Sequence, residues 1–277
     1  MQQNNILVIA GMHRSGTSMI THWLHECGLN VGRNLMDAGI GNTEGHYEDM
    51  EFYQLHVDHL RINKLPYTGF IEKAAPAFSP KTEGILKDLI AAKNKEFAQW
   101  GWKDPRTCLF LNAYEKLLPD AKYLIIFRDF SATVSSMISR IFKQKDIKHS
   151  KQKWLARMFW IKIVRKIKQQ WILRRKAQLF LRAWLLYNRN LLELASKIDS
   201  NRYTVINYKT LLKDDTKIFS TLKDKWHFSL KYVNFSNIYK PKLLSDALNV
   251  ESFTDKQLLS EAQAVMQSLE ALAQKMI

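Results

Sequence analysis

Three short runs of apolar residues stand out along the chain, at 6–10 (ILVIA), 122–127 (KYLIIF) and 203–206 (YTVI), and helical patterns fill the distances between them. A strand with one wet face alternates polar and apolar positions. A continuous run marks burial on both faces, the situation of a strand inside a parallel sheet. The first run ends at Gly11 and a short polar loop, after which Met19, Ile20, Trp23 and Leu24 share one face of a predicted helix at 17–27 that stops at Gly28. Further helices are predicted at 50–61, 80–97, 107–118, 131–142, 177–198 and 255–276. Strands alternating with helices predict an α/β fold, a parallel sheet covered by helices on both faces. Loops rich in Gly and Pro at 37–45 and 64–80 are functional-loop candidates within one domain spanning 1–277.

Composition narrows the class without changing that picture. The 277 residues are 46% apolar and 25% charged, ordinary globular values that set aside disorder and collagen. The two cysteines, Cys27 and Cys108, lie far apart in sequence and in no metal-ligand spacing, so neither a disulfide framework nor a zinc site is expected. The N-terminal run has no basic segment before it, and no window approaches the ~20 apolar residues of a membrane span. A cytoplasmic protein is expected, peripheral at most on the inner face of a membrane.

Charge does change the picture. The net charge is +16, yet segment 143–176 holds thirteen Lys/Arg against the single acid Asp146, a local +12. With so little excess elsewhere, nucleic acid is not an expected partner. Within 151–176, Trp160, Val164, Ile167 and Trp171 recur at helical spacing, while Lys162, Arg165, Lys166 and Lys168 fall mostly elsewhere on the wheel. This basic amphipathic helical insertion reads either as a core helix with a soluble side or as a surface for an anionic membrane or acceptor.

The chemistry begins with Gly11-Met12-His13-Arg14-Ser15-Gly16-Thr17-Ser18, between the first strand and the first helix. Glycines let backbone N–H groups converge and the helix start adds its dipole, so this loop suits an anion. Its spacing, G-x4-G-T-S, departs from the nucleoside-triphosphate loop G-x4-G-K-[ST] at one position, where Thr17 replaces the lysine that kinases and ATPases place on the β/γ-phosphates. The cation here is Arg14. A plain strand-to-helix turn with a Ser/Thr cap is the bland alternative. A second strand–turn–helix unit carries Arg128-Asp129-Phe130, with Ser136 eight residues after the arginine. Arg128 has the fork to grip a phosphate; taken alone, Arg128-Asp129 reads better as a surface ion pair at a strand terminus.

Taken together, Arg14 to Ser18 and Arg128 with Ser136 resemble the 5′-phosphosulfate loop and the 3′-phosphate site of sulfotransferases that use 3′-phosphoadenosine-5′-phosphosulfate (PAPS). Gly101-Trp102-Lys103-Asp104-Pro105-Arg106 is similar to a W-K-D-P-R stretch of bacterial members, and Asn207-Tyr208-Lys209-Thr210-Leu211-Leu212 to a Y-E-D-L-L stretch after a late strand. The resemblance implies a P-loop-like sheet, PAPS as donor without a metal, and a hydroxyl or amine acceptor, with carbohydrate and lipid among the options. It also implies donor contacts from Arg14, Ser15, Gly16, Thr17, Ser18, Arg128 and Ser136, with Lys103 near the phosphosulfate and Tyr208 near the adenine. Lys209 departs from the family's glutamate. Pro105 stands where one branch has a histidine, so the base must lie elsewhere. Asn42 to Asp49 resembles an N-x-E-G-x-[FY]-E stretch and offers Glu48, His46 and Glu44, in that order of preference. Glu48 reads nearly as well as an acid at the start of the helix that follows. Two rival classes are an ATP-dependent kinase or NTPase of the P-loop class and a non-catalytic module binding membrane or polyanion.

Overall fold

The computed structural model describes residues 4–39, 45–150, 158, 164–239 and 248–276, apart from the side chains of 165, 166, 169, 208 and 276. In chain order the elements are β1 (Asn5–Ala10), α1 (Thr17–Glu26), α2 (Met50–Ile62), α3 (Pro80–Glu96), β2 (Gln99–Lys103), α4 (Leu111–Leu117), β3 (Lys122–Phe127), α5 (Phe130–Ser150), α6 (Arg165–Lys197), β4 (Tyr203–Asn207), α7 (Tyr208–Lys213), α8 (Asp215–Ser220) and α9 (Lys256–Met276). The strands form one parallel sheet in the order β2-β1-β3-β4. Alternate residues of β1 enter two separate cores. Ile6, Val8 and Ala10 join the larger one, with residues of α2 to α6 and α9, while Leu7 and Ile9 meet Ile20, Trp23 and Leu24 of α1 on the other face. The apolar runs were continuous because both faces of this sheet are covered.

β2 was not legible as a strand. Its sequence, QWGWK, is short and has a glycine inside, a combination that weakens any strand signal. Packing explains the residues. Trp100 and Trp102 face the larger core, where the ring of Phe52 stacks 4.4 Å from Trp102. On the opposite face a Cβ at Gly101 would sit 2.5 Å from the Leu7 carbonyl oxygen.

Three predicted helices differ in extent. The 107–118 helix is a 3₁₀ turn at Pro105–Leu109 followed by α4, broken at Phe110, whose φ of −131° is not helical. α5 continues past 142 to Ser150. α6 begins at Arg165, well before the predicted 177. The last part of the basic segment is therefore continuous with a core helix. Trp160 of its predicted stripe and Lys162 of its cationic side lie outside the described residues. Ile167 and Trp171 face solvent, while Ile172 and Leu173 take the buried side, so the core reading of that stripe does not hold for these two residues.

Candidate active site

All four strands end on one edge of the sheet, and residues singled out in the sequence follow each end. In parallel α/β sheets ligands bind at this edge, where neighbouring strands send their connections to opposite sides; here that point lies between β1 and β3. β1 runs into Gly11 to Gly16, and β3 runs into Arg128. A Cβ at Gly11 would overlap the Ile126 carbonyl oxygen of β3 and approach Thr17 Cγ2 to 2.7 Å, so only glycine lets the loop leave the sheet here.

Two consecutive departures from right-handed backbone shape the loop: Arg14 has φ of 67° and Gly16 of 95°. The Ser15 N–H donates to the Met12 carbonyl at 3.2 Å. Gly16 is the N-cap of α1, with no side chain capping it and no acid in the first turn. The Ser/Thr-capped turn considered as the bland alternative is thus not what the chain builds. The positive end of the helix dipole stands at Thr17 and Ser18.

The two predicted anion sites are in contact. Arg14 Nε donates to Ser136 Oγ at 3.0 Å, and Arg128 Nη1 donates to the Arg14 carbonyl at 3.0 Å. Trp184 of α6 buttresses this junction by donating from Nε1 to the Arg128 carbonyl at 3.1 Å. A third guanidinium, Arg140, lies one helical turn after Ser136 on α5. Burial first, then the charges of Arg140 and Arg128, bring Arg14 down to about 10, which leaves it charged at neutral pH. Sequence reading missed Arg140; its signal was the i, i+4 spacing from Ser136.

On the neighbouring side, residues 35–36 meet the returning chain at 46–49. Leu35 bridges Asp49 in antiparallel fashion, the Met36 N–H donates to the Glu48 carbonyl at 2.8 Å, and the His46 N–H to the Met36 carbonyl at 3.3 Å. The return places Glu48 just before the N-cap of α2. That cap is Asp49, whose Oδ1 accepts from the Glu51 N–H at 2.9 Å. The helix-start role considered for Glu48 therefore belongs to its neighbour. Glu48 is buried, and its Oε1 accepts from Lys103 Nζ at 2.9 Å. Lys103, the last residue of β2, also donates to Ser18 Oγ at 3.2 Å. One ammonium thus links the first turn of α1 to the carboxylate ranked first as base.

His46 feels the same cations. Burial, then Lys103, Arg140 and Arg14, bring its imidazole down to about 4, so it is neutral at pH 7. Glu44, the third candidate base, lies outside the described residues. Tyr208 opens α7 directly after β4, and its side chain is likewise outside them.

A supporting layer lies beneath, most of it unread in the sequence. Asp104 is fully buried and accepts from the Arg106 N–H at 2.8 Å, from Arg106 Nη1 at 2.9 Å and from His56 Nδ1 at 3.1 Å. A carboxylate can only accept, so His56 carries its proton on Nδ1 and receives Tyr114 Oη on Nε2 at 2.7 Å. Burial alone would raise Asp104; Arg106 and His56 instead hold it well below the usual carboxylate range. Arg106 Nε donates to the Tyr67 carbonyl at 2.8 Å, and Tyr187 Oη to the Gly69 carbonyl at 3.1 Å, pinning the 64–80 loop beside the site. His13 meets Phe70 edge-on at 5.0 Å. Its Nε2 is buried with no hydrogen-bond partner among the described residues. Burial, then Arg106, pushes the imidazole well below its ordinary value. Among the described residues no group of His, Cys, Asp and Glu is arranged to hold a metal ion.

The contacts among Arg14, Arg128 and Ser136 at one edge of a parallel sheet, with Lys103 bonded to a buried glutamate, stand beside what comparison finds: the chain belongs to the sulfotransferase family, whose model matches residues 7–225. Among solved structures, sulfotransferase STF9 from Mycobacterium avium aligns with a TM-score of 0.55 at 12% identity, covering 96% of this chain and 76% of that one. The sulfotransferase domain of the Synechococcus PCC 7002 olefin synthase aligns with a TM-score of 0.50 at 17% identity, covering 99% and 96%. These likenesses concern the fold. A search of curated proteins finds no significant match.

Proposed function

We propose that the protein moves a sulfuryl group from PAPS to a hydroxyl acceptor, with carbohydrate and lipid hydroxyls the favoured class, and releases adenosine 3′,5′-bisphosphate. The observation that carries this reading is the bonded junction of the Arg14 loop with Arg128 and Ser136, two cationic anion sites held side by side. PAPS carries phosphate at both ends of its ribose and supplies the activated sulfur. The loop amides, Arg14, Ser15, Thr17 and Ser18 hold the 5′ end, and Arg128 with Ser136 the 3′-phosphate. Donors aimed where negative charge grows on the departing phosphate lower the barrier without any reorganisation. Glu48 takes the acceptor proton as the new O–S bond forms and the sulfur–phosphate oxygen bond breaks, with His46 next in line. Lys103, bonded to both Ser18 and Glu48, serves the phosphate and the base side together.

The kinase reading lacks support at the position that matters most, since Thr17 stands where such enzymes place lysine. A turnover assay with PAPS and a panel of sugar-borne and lipid-borne hydroxyls tests the reading. Removing one transition-state donor costs about 10²–10³ in turnover in comparable sites, so Arg14→Ala should lose roughly that while binding the desulfated nucleotide far less impaired. Glu48→Gln should keep nucleotide binding and lose turnover. Turnover of magnesium–ATP with none from PAPS would transfer the site to the rival class.

A further inference from the structure

Away from the active site, the first turns of α6 form an unusual surface. Ile167 is 67% exposed and Trp171 54% exposed, four residues apart on one side of the helix. Ile172, Leu173, Ala177 and Phe180 occupy the opposite side and are buried. The exposed side also carries Lys168, Arg174 and Arg175. The Arg175 guanidinium sits 4.7 Å over the Trp171 ring, covering one face of the indole. α5 packs along α6, and near its end Ile147 is 45% exposed beside exposed Lys148. Between Arg165 and Lys176 the sequence holds six Lys/Arg and no acid.

We propose that the exposed side of α6 around Ile167 and Trp171 docks on an anionic lipid surface. Charge alone would suit any polyanion. Large apolar side chains in the middle of the cationic face are what distinguishes an interfacial helix, which sinks its apolar residues below the headgroups while lysine and arginine stay at their level. Tryptophan prefers that boundary, and clustered Lys/Arg draw a segment to anionic leaflets. Among the described residues no helix is long and apolar enough to cross a membrane, so the contact is peripheral. Docking here is independent of the transfer reaction. It orients the active site all the same, because the same helix reaches Arg128 through Trp184 and Gly69 through Tyr187.

Co-sedimentation of the full chain tests this, using vesicles of phosphatidylcholine with about one-third phosphatidylglycerol against phosphatidylcholine alone. The protein should pellet with the mixed vesicles in about 0.1 M salt and leave them toward about 1 M, as the Debye length shrinks from about 10 Å to about 3 Å. Replacing Ile167 and Trp171 together by serine should weaken vesicle binding at least about tenfold, as should Lys168, Arg174 and Arg175 to glutamine. Both variants should keep the wild-type affinity for adenosine 3′,5′-bisphosphate, which shows that they fold. Absence of binding to anionic vesicles at low salt overturns the proposal. So does binding that the serine variant leaves unchanged, or capture by a soluble sulfated polysaccharide with equal strength in wild type and serine variant. The last of these results assigns the face to a soluble polyanion.

Discussion

Arg14 adopts φ of 67°, a left-handed conformation that costs a residue with a Cβ about 1–2 kcal/mol. The return on that strain is visible in the contacts. The twist lets the carbonyl accept from Arg128 while the side chain reaches Ser136 across the gap between two strands. Crowding of positive charge there also sets the state of the histidines. His46 titrates at about 4 and His13 well below its ordinary value, in both cases because burial and nearby cations disfavour the imidazolium. The unfolded chain takes up those protons from about pH 6.5 downward, whereas the folded protein takes up the one on His46 only near 4. The unfolded state therefore binds more protons in that window, and stability falls as pH falls from about 6.5 toward 4. Urea midpoints at pH 7 and pH 5 should show the drop. A His13→Gln, His46→Gln variant should show a smaller one, and an undiminished drop in that variant would contradict the assignment.

At the scale of elements, β2 and the start of α2 present Lys103 and Glu48 to each other, and the turn after β2 anchors them from below. Asp104 is the centre of that anchor. Asp104→Asn leaves Arg106 buried with Glu48 Oε2 at 3.9 Å as its remaining carboxylate. Breaking a buried pair in this way costs about 3–5 kcal/mol, to be read as a lowered urea midpoint with unchanged slope. A loss below about 1 kcal/mol would mean that the network is not structural. The sequence exposed these elements unevenly. The strand-to-loop-to-helix units around Gly11 and Arg128 were legible because apolar runs and helical periodicity are local properties. Asp49 as the cap of α2 was open to the same local rules, because aspartate directly before a helix start is a preferred N-cap and glutamate is not; the bond from Lys103 that claims Glu48 spans 55 positions and was not. The ladder from Arg106 through Asp104 and His56 to Tyr114 joins residues up to 58 positions apart, and no spacing rule reaches across that distance.

For the molecule as a whole, strand order gathers the candidate site residues at one edge of the sheet, and the sequence concentrates charge in one segment. β1 and β3 bring Arg14, Arg128 and Ser136 together, while the sequence places thirteen Lys/Arg within 143–176. α6 takes part in both: Trp184 and Tyr187 support the candidate site, and Ile167 and Trp171 face solvent. The family match over 7–225 takes in both.

The proposed donor site depends most heavily on Arg128 and Ser136 gripping a second phosphate beside the Arg14 loop. Calorimetric titration with adenosine 3′,5′-bisphosphate, adenosine 5′-monophosphate and magnesium–ATP tests that directly. A charge-assisted hydrogen bond contributes about 1.5–3 kcal/mol, so the bisphosphate should bind more than about tenfold tighter than the monophosphate, and Arg128→Ala should abolish the difference. Equal affinity for bisphosphate and monophosphate, or tighter binding of magnesium–ATP than of either, would contradict it.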